Sequence, residues 1–388
     1  MPVDRAIAAL GPSLVEDRRR LHAQPERSFE ERQTVAYLAG AIRDLGLEPE
    51  PCGGGLVARL GGAGGSGRTV AVRADMDGLP IEEAEGLDFR SRNAGVMHAC
   101  GHDAHMAIAL GVMRVLAGRR ETLRGEVRFL FQPAEELPPG GALQMIAGGA
   151  LDGVDAIIGL HVNSALEAGK AQIHPGFLLA NADVFEIDVA GQGGHGSSPH
   201  VCVDAALVAA QILVALQTIV SRRVDPLEPA VVTVGEIHAG TAHNIIPATA
   251  RLSGTVRTFS AATRATVRGE IERIARAAAA GAGADVDVRY LEGYPAVNNP
   301  DGGPTAALEA AGREVLGAEN VVVARPWMAG EDFAHYQARV PGAFFFLGSG
   351  GSGWAPHHSA RFRVDEACLP YGVDILARAA VRLLAGDA

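Results

Sequence analysis

The chain has 388 residues, 48% of them hydrophobic and 20% charged, with a formal net charge of −11. That length sets a prior of two domains at roughly 150 residues each, and the composition is that of an ordinary globular protein. No basic block is present, which excludes nucleic acid and an anionic membrane surface as expected partners.

Taken in chain order, the first section alternates helical and strand patterns. Asp4–His22 and Phe29–Leu45 are predicted amphipathic helices, the second ending before Gly46. Short apolar runs at Leu56–Leu60, Thr69–Arg73, Glu126–Gln132 and Asp155–His161 read as strands, with a helix from His102 to Leu116 among them. Strands alternating with helices predict an α/β layer with a largely parallel sheet. From about residue 180 the texture changes. Asp183–Val189 alternates strictly, a helix follows at Asp204–Val220, then strands Ala230–His238 and Thr249–Thr258, a helix Ala261–Ala280 and a strand Asp285–Leu291. This βαββαβ order predicts an inserted ferredoxin-like α+β domain. After Tyr294-Pro295 the first texture resumes, with helix Thr305–Leu316, strands Val321–Val323 and Ala343–Leu347, and a last helix from Asp365. The expected organisation is a discontinuous domain over 1–180 and 292–388 carrying an insert over 181–291.

Met1-Pro2-Val3-Asp4-Arg5 shows no basic region followed by an apolar stretch, so no signal peptide is expected. Ala205–Val220 is interrupted by Gln211 and Gln217 and reads as too short and too polar to span a membrane. It has little polar face, which suggests burial between subunits. Cys52, Cys100, Cys202 and Cys368 are widely spaced and form no C-x-x-C pair, so a reducing cytoplasm is the expected location.

The densest chemistry is His98-Ala99-Cys100-Gly101-His102-Asp103-Ala104-His105, which places three histidines, a thiol and a carboxylate in eight residues. Such a set suits a first-row transition ion. Cys100 and His102 flank a glycine, and a tight turn there would converge both on one ion. Glu135 and Glu136 follow a predicted strand. Beside cations their mutual repulsion disappears, and one could ligate while the other handles protons. His161 ends another strand, and His357-His358 lies near the C-terminus. Asp75 and Asp77 would face the same way if their strand continued. Asp77 then either orients a ligating histidine or belongs to an Asp-Gly turn. His195 sits among Gly191, Gly193, Gly194 and Gly196, in a loop suited to close approach or mobility. His22, His174, His200, His238, His243 and His335 have no comparable setting and read as structural or surface residues.

Nearly end to end, the sequence resembles the amidohydrolase branch of the aminoacylase/carboxypeptidase metallopeptidases, which includes hippurate hydrolases, N-acyl-amino-acid hydrolases and auxin-conjugate hydrolases. The resemblance is carried by Leu21-His22-Ala23-Gln24-Pro25-Glu26, Arg73-Ala74-Asp75-Met76-Asp77, the His98–His105 segment and Gln132-Pro133-Ala134-Glu135-Glu136. Further along it is carried by Gly193-Gly194-His195-Gly196, Asn244-Ile245-Ile246-Pro247, Gly254-Thr255-Val256-Arg257, Gly330-Glu331-Asp332-Phe333, and His358 before Phe362. It implies two divalent ions per subunit (manganese or zinc, with nickel or cobalt as alternatives) held by Cys100, His102, Glu136, His161 and His358. It also implies a metal-activated water with Glu135 as general base and acid; Asp77, on the spacing argument above, is expected in the catalytic group beside it. The insert would be a lid that dimerises the protein, giving a homodimer or homotetramer. His195 would polarise the scissile carbonyl in a neighbouring subunit's site, with Asn244 and Arg257 near the substrate. The implied substrates are small N-acyl-amino acids. A dipeptidase or carboxypeptidase of the same family is the alternative, followed by a Cys100 thiol hydrolase or a non-catalytic binding protein. Ala360 stands where the family usually has proline, and Arg363 and Val364 replace a more acidic strand. These departures leave His357 as an alternative ligand to His358.

Overall fold

The computed structural model describes residues 5–323 and 325–386, so the reading of the extreme N-terminus at Met1–Asp4 lies outside the described residues. The chain divides into two compact units. One comprises the chain through Leu178, Val297–Arg325 and the chain from Asp332; the other comprises Leu179–Ala296 and Pro326–Glu331.

The first unit is a mixed α/β layer built on an eight-stranded sheet. Its order is Pro49–Cys52, Gly55–Gly61, Glu126–Gln132, Thr69–Asp75, Ala156–Glu167, Gly342–Gly350, Ala171–Gln172 and Val321–Val322. The four central strands, from Glu126–Gln132 to Gly342–Gly350, run parallel to one another. Their sequences are near-continuous apolar runs because helices cover both faces of such a sheet. Helix His102–Ala117 is buried along almost its whole length, and Leu369–Ala385 contributes Val373, Ile375, Leu376 and Leu383 to the same core.

Two expectations about helices need correction. The long N-terminal helix is broken into Arg5–Ala9 and Gly11–His22. Pro12 lacks the N–H that a continuous helix needs and fits only the first turn of a new one. The second helix begins at Arg32 rather than Phe29. The Glu26 carboxylate accepts the free N–H groups of Gln33 and Thr34 at 2.9 Å each, and Phe29 sits at φ 67°, outside helical geometry.

The second unit carries a four-stranded antiparallel sheet ordered Ala230–Ala239, Thr249–Thr258, Ala182–Ala190, Asp285–Tyr294. Helices Ala205–Arg222 and Ala261–Ala282 complete a βαββαβ sequence. The Asp204 side chain caps the first of these helices by accepting Ala206 N–H at 2.9 Å and Leu207 N–H at 3.1 Å. This helix also corrects an expectation. It runs 18 residues and is long and apolar enough to cross a membrane by length and composition alone. Its register is that of a helix on a sheet: Val208, Ala209, Ile212, Leu216 and Ile219 are buried at helical spacing, while Leu207, Val214 and Val220 are exposed.

Candidate metal centre

The carboxyl ends of the parallel strands gather the titratable groups, as open α/β sheets arrange their sites. Strand Thr69–Asp75 delivers Asp75 and then Asp77, Glu126–Gln132 leads into Glu135 and Glu136, and Ala156–Glu167 carries His161. Cys100 precedes helix His102–Ala117 across Gly101, which has φ 92°. A Cβ on Gly101 would come within 2.3 Å of Val162 Cγ2, so only glycine permits this turn.

Donor atoms of Cys100, His102 and Glu136 lie within 4.8 Å of one another, as do those of Cys100, His161 and His357. The histidines are sorted by what their second ring nitrogen touches. His102 donates from Nδ1 to the Asp77 carbonyl at 2.9 Å, with Asp77 Oδ1 at 3.2 Å. Its Nε2 is buried, has no hydrogen-bond partner among the described residues, and faces Asp75 Oδ2 at 3.7 Å and Glu136 Oε1 at 4.0 Å. His161 donates from Nδ1 to the Val162 carbonyl at 2.7 Å and turns Nε2 toward Cys100 Sγ at 3.3 Å. Both therefore present an Nε2 lone pair to the same space, oriented from behind as ligating histidines are.

His105 is disqualified by the same reasoning. Its Nδ1 binds Asp75 Oδ1 at 2.6 Å, and its Nε2 accepts the Val162 N–H at 2.9 Å. His98 is buried too, but neither ring nitrogen has a hydrogen-bond partner among the described residues, and burial lowers its pKa to about 4.

At the C-terminal loop the two adjacent histidines differ. His357 accepts the Ser164 N–H through Nε2 at 3.3 Å, which leaves its Nδ1 proton directed at Cys100 Sγ, 3.6 Å away. That orientation makes Nδ1 a donor to the sulfur, while the same three residues, Cys100, His161 and His357, also cluster closely enough to hold an ion. His358, held at φ 61°, brings Nε2 to 3.2 Å from Glu136 Oε1 and stays partly exposed. Oε1 nonetheless lacks an aligned hydrogen-bond partner among the described residues.

The electrostatics describe a site built for positive charge. Burial raises the Cys100 thiol pKa well above its usual value, and Glu136, Glu135 and Asp75 raise it further. Burial opposes protonation of His102, yet Asp75, Asp77 and Glu136 overcome it and raise that histidine to about 10. Burial, with His105 and His357, keeps His161 neutral. The orphaned His102 Nε2 and a thiol hemmed in by carboxylates both fit a divalent cation. The donor atoms gathered here are sulfur, nitrogen and oxygen, a mixed set of the kind first-row transition ions accept.

The strand ends at Asp75, so the strand continuation that would have aligned Asp75 with Asp77 does not occur. Asp75 accepts from Arg73 Nη1 at 2.7 Å and from His105. Burial would raise its carboxyl, but His102, His105 and Arg73 hold it well below the ordinary range. Asp77 accepts Ser28 Oγ–H at 2.7 Å and the Glu135 and Glu136 N–H groups at 3.0 Å each. Each of these contacts is to another buried or half-buried residue of the protein. His22, read as structural or surface, is buried between Asp103 at 2.8 Å and Glu83 at 3.1 Å. Sequence reasoning missed Ser28, Glu31 and the buried Arg73–Gln132–Asp332 network. A charged Arg73 within the apolar run Thr69–Asp75 was the available signal.

The other expected site residues lie in the second unit. His195 pairs with Ile245 across a two-stranded ribbon, and Gly196 N–H donates to the Asn244 carbonyl at 2.8 Å. His195 Nδ1 accepts the Ser197 N–H at 3.1 Å, so Nε2 carries the proton of the neutral ring. The Arg257 contacts, to Val256 O at 3.0 Å, Asp183 O and Thr255 Oγ1, all fall on Nη1. The Nε and Nη2 edge of its guanidinium has no partner among the described residues.

Residues 71–382 match the model of peptidase family M20/M25/M40. An N-acyl-L-amino acid amidohydrolase of Geobacillus stearothermophilus is 46% identical over 78% of this chain and 82% of its own length. An N-acetyl-L-cysteine deacetylase of Bacillus subtilis is 39% identical over 97% of this chain and 90% of its own. Among solved structures, a Bacillus subtilis protein described as a dinuclear metal binding peptidase from the M20 family superposes with a TM-score of 0.86. It shares 36% identity over 97% of this chain and 99% of that one.

Proposed function

The chain belongs to peptidase family M20/M25/M40, and on that premise we propose that it hydrolyses the amide bond of N-acyl-amino acids to a carboxylic acid and an amino acid. The observation that carries this reading is the convergence of Cys100, His102 and Glu136 beside His161 and His358, with Glu135 on the same turn as Glu136. Relatives named for N-acyl-amino-acid and N-acetylcysteine hydrolysis support the substrate class.

In this reading Cys100, His102, Glu136, His161 and His358 hold two divalent ions, manganese or zinc first and nickel or cobalt as alternatives. Divalent ions held there would supply Lewis acidity toward the scissile carbonyl and a water of lowered pKa. Glu135 takes the proton of that water and returns it to the departing amine. Asp77 keeps His102 in the tautomer that frees Nε2 and anchors the turn bearing Glu135. The Nε2 proton of His195 suits a hydrogen bond to the carbonyl oxygen, in a neighbouring subunit's site as the resemblance implies. The open edge of Arg257, with Asn244, suits the free carboxylate of the amino acid. Residues 1–180 and 292–388 then form the catalytic domain and 181–291 a dimerisation and lid domain of a cytoplasmic homodimer or homotetramer.

A Cys100 nucleophile is disfavoured, because its thiol is raised rather than lowered and the two histidines in contact with its sulfur, His161 and His357, have depressed pKa values, His357 at about 3. A dipeptidase or carboxypeptidase would use the same machinery, and substrate preference separates them. Amine release from N-acetyl-, N-benzoyl- and indoleacetyl-amino acids, measured beside dipeptides, should favour an acyl-amino acid in kcat/KM. Faster turnover of dipeptides would move the assignment to the peptidase reading.

A further inference from the structure

The turn that presents Glu135 and Glu136 is held from a distant part of the chain. After strand Glu126–Gln132 the backbone passes through Pro133 into Ala134, which sits at φ 51°. A residue with a Cβ does not rest in that left-handed region unless its surroundings hold it there. Three consecutive N–H groups are captured by carboxylates. Ala134 N–H donates to Glu31 Oε1 at 2.8 Å, Glu135 N–H to Asp77 Oδ1 at 3.0 Å, and Glu136 N–H to Asp77 Oδ2 at 3.0 Å.

The loop before helix Arg32–Asp44 supplies the other half of the clamp. Ser28 Oγ–H donates to Asp77 Oδ2 at 2.7 Å, and Glu31, only 4% exposed, comes from the same loop. That loop is tied to the Asp77 segment by the Gly78 N–H, which donates to the Glu26 carbonyl at 2.7 Å. Ser28, Glu31 and Asp77 thus form one rigid cradle under the Ala134–Glu136 turn.

We propose that Ser28 and Glu31 are positioning residues for the hydrolysis, holding Ala134 left-handed so that Glu135 is aimed at the reacting water while Glu136 turns to the metals. The proposal rests on the hydrolase reading above. Either protonation state of Glu31 can accept the Ala134 N–H, and so can the side-chain carbonyl of glutamine.

The test compares wild type, Glu31→Ala, Glu31→Gln, Ala134→Gly, the Glu31→Ala/Ala134→Gly double variant and Ser28→Ala. Each is reconstituted with manganese and assayed on an N-acetyl-amino acid, with bound metal and thermal melting recorded. Misplacing a catalytic group by about 1 Å costs about 10²-fold in rate, so Glu31→Ala should lose about 10- to 100-fold in kcat, at saturating metal, with little change in KM. Glu31→Gln should restore most of the loss. Glycine at 134 should make the Glu31→Ala defect smaller, because the left-handed turn then needs no clamp. Unchanged kcat in Glu31→Ala, or a Gln variant as impaired as the Ala variant, would overturn the proposal. If Glu31→Ala fails to fold, Ser28→Ala decides: lowered kcat at constant KM supports the clamp and wild-type kcat overturns it. A wild type without metal-dependent amide hydrolysis would instead sink the functional reading.

Discussion

Each histidine at the centre takes its role from the atom behind it, and the same logic gives Asp77 its importance. One carboxylate accepts from Ser28, His102, Glu135 and Glu136. Asp77→Asn puts an NH2 group where an acceptor is required and should weaken metal binding by about 10- to 100-fold, as such outer partners typically do; competition with a chelator measures it, and unaltered affinity would refute the role. Glu135→Gln should abolish turnover with bound metal unchanged, whereas loss of metal would show Glu135 to be a ligand.

Glu31 carries a second, independent signature. Burial raises its carboxyl to about 7, against the backbone hydrogen bonds that lower it. The folded state therefore holds that proton to higher pH than the unfolded chain does, so its contribution to stability is full in acid and is lost as pH rises through about 7. Glu31→Gln has no such dependence. At equal metal load, the stability of the Gln variant relative to wild type should rise between about pH 5 and about pH 8. A constant difference in chemical denaturation would contradict the shift.

Among the elements, what could be read in advance was chemistry compressed into neighbouring residues. Cys100-Gly101-His102 and Gln132-Pro133-Ala134-Glu135-Glu136 announce themselves because the site draws them from single turns. Strand Thr249–Thr258 and strand Glu126–Gln132 run over the expected residues because apolar pattern and flanking turns agree there. The Ser28–Asp77 and Glu31–Ala134 contacts join residues 49 and 103 apart in sequence, and no local pattern encodes them. Strand Ala171–Gln172 is equally invisible, being two residues that gain meaning only between Gly342–Gly350 and Val321–Val322. The orientation of His357 against His358 is likewise tertiary, set by the Ser164 N–H. Gly101 is the element-scale test. Its φ of 92° and the nearby Val162 methyl make Gly101→Ala a distortion of the Cys100–His102 turn. The variant should lose bound metal as well as melting temperature, and full metal occupancy would show that the turn tolerates a side chain.

For the whole molecule, the exposed Leu207, Val214 and Val220 on helix Ala205–Arg222 bear on assembly. If the second unit dimerises the protein, Leu207→Glu with Val214→Glu should give a monomer by analytical ultracentrifugation, because neither side chain belongs to the buried face. An unchanged mass would place the interface elsewhere. The central claim, that this donor set serves metal-dependent amide hydrolysis, is tested most directly by chelating the protein fully and adding back manganese or zinc while amine release from N-acetyl- and N-benzoyl-amino acids is followed. Activity lost on chelation and restored in proportion to metal bound is the predicted result; hydrolysis that survives complete metal removal would contradict it.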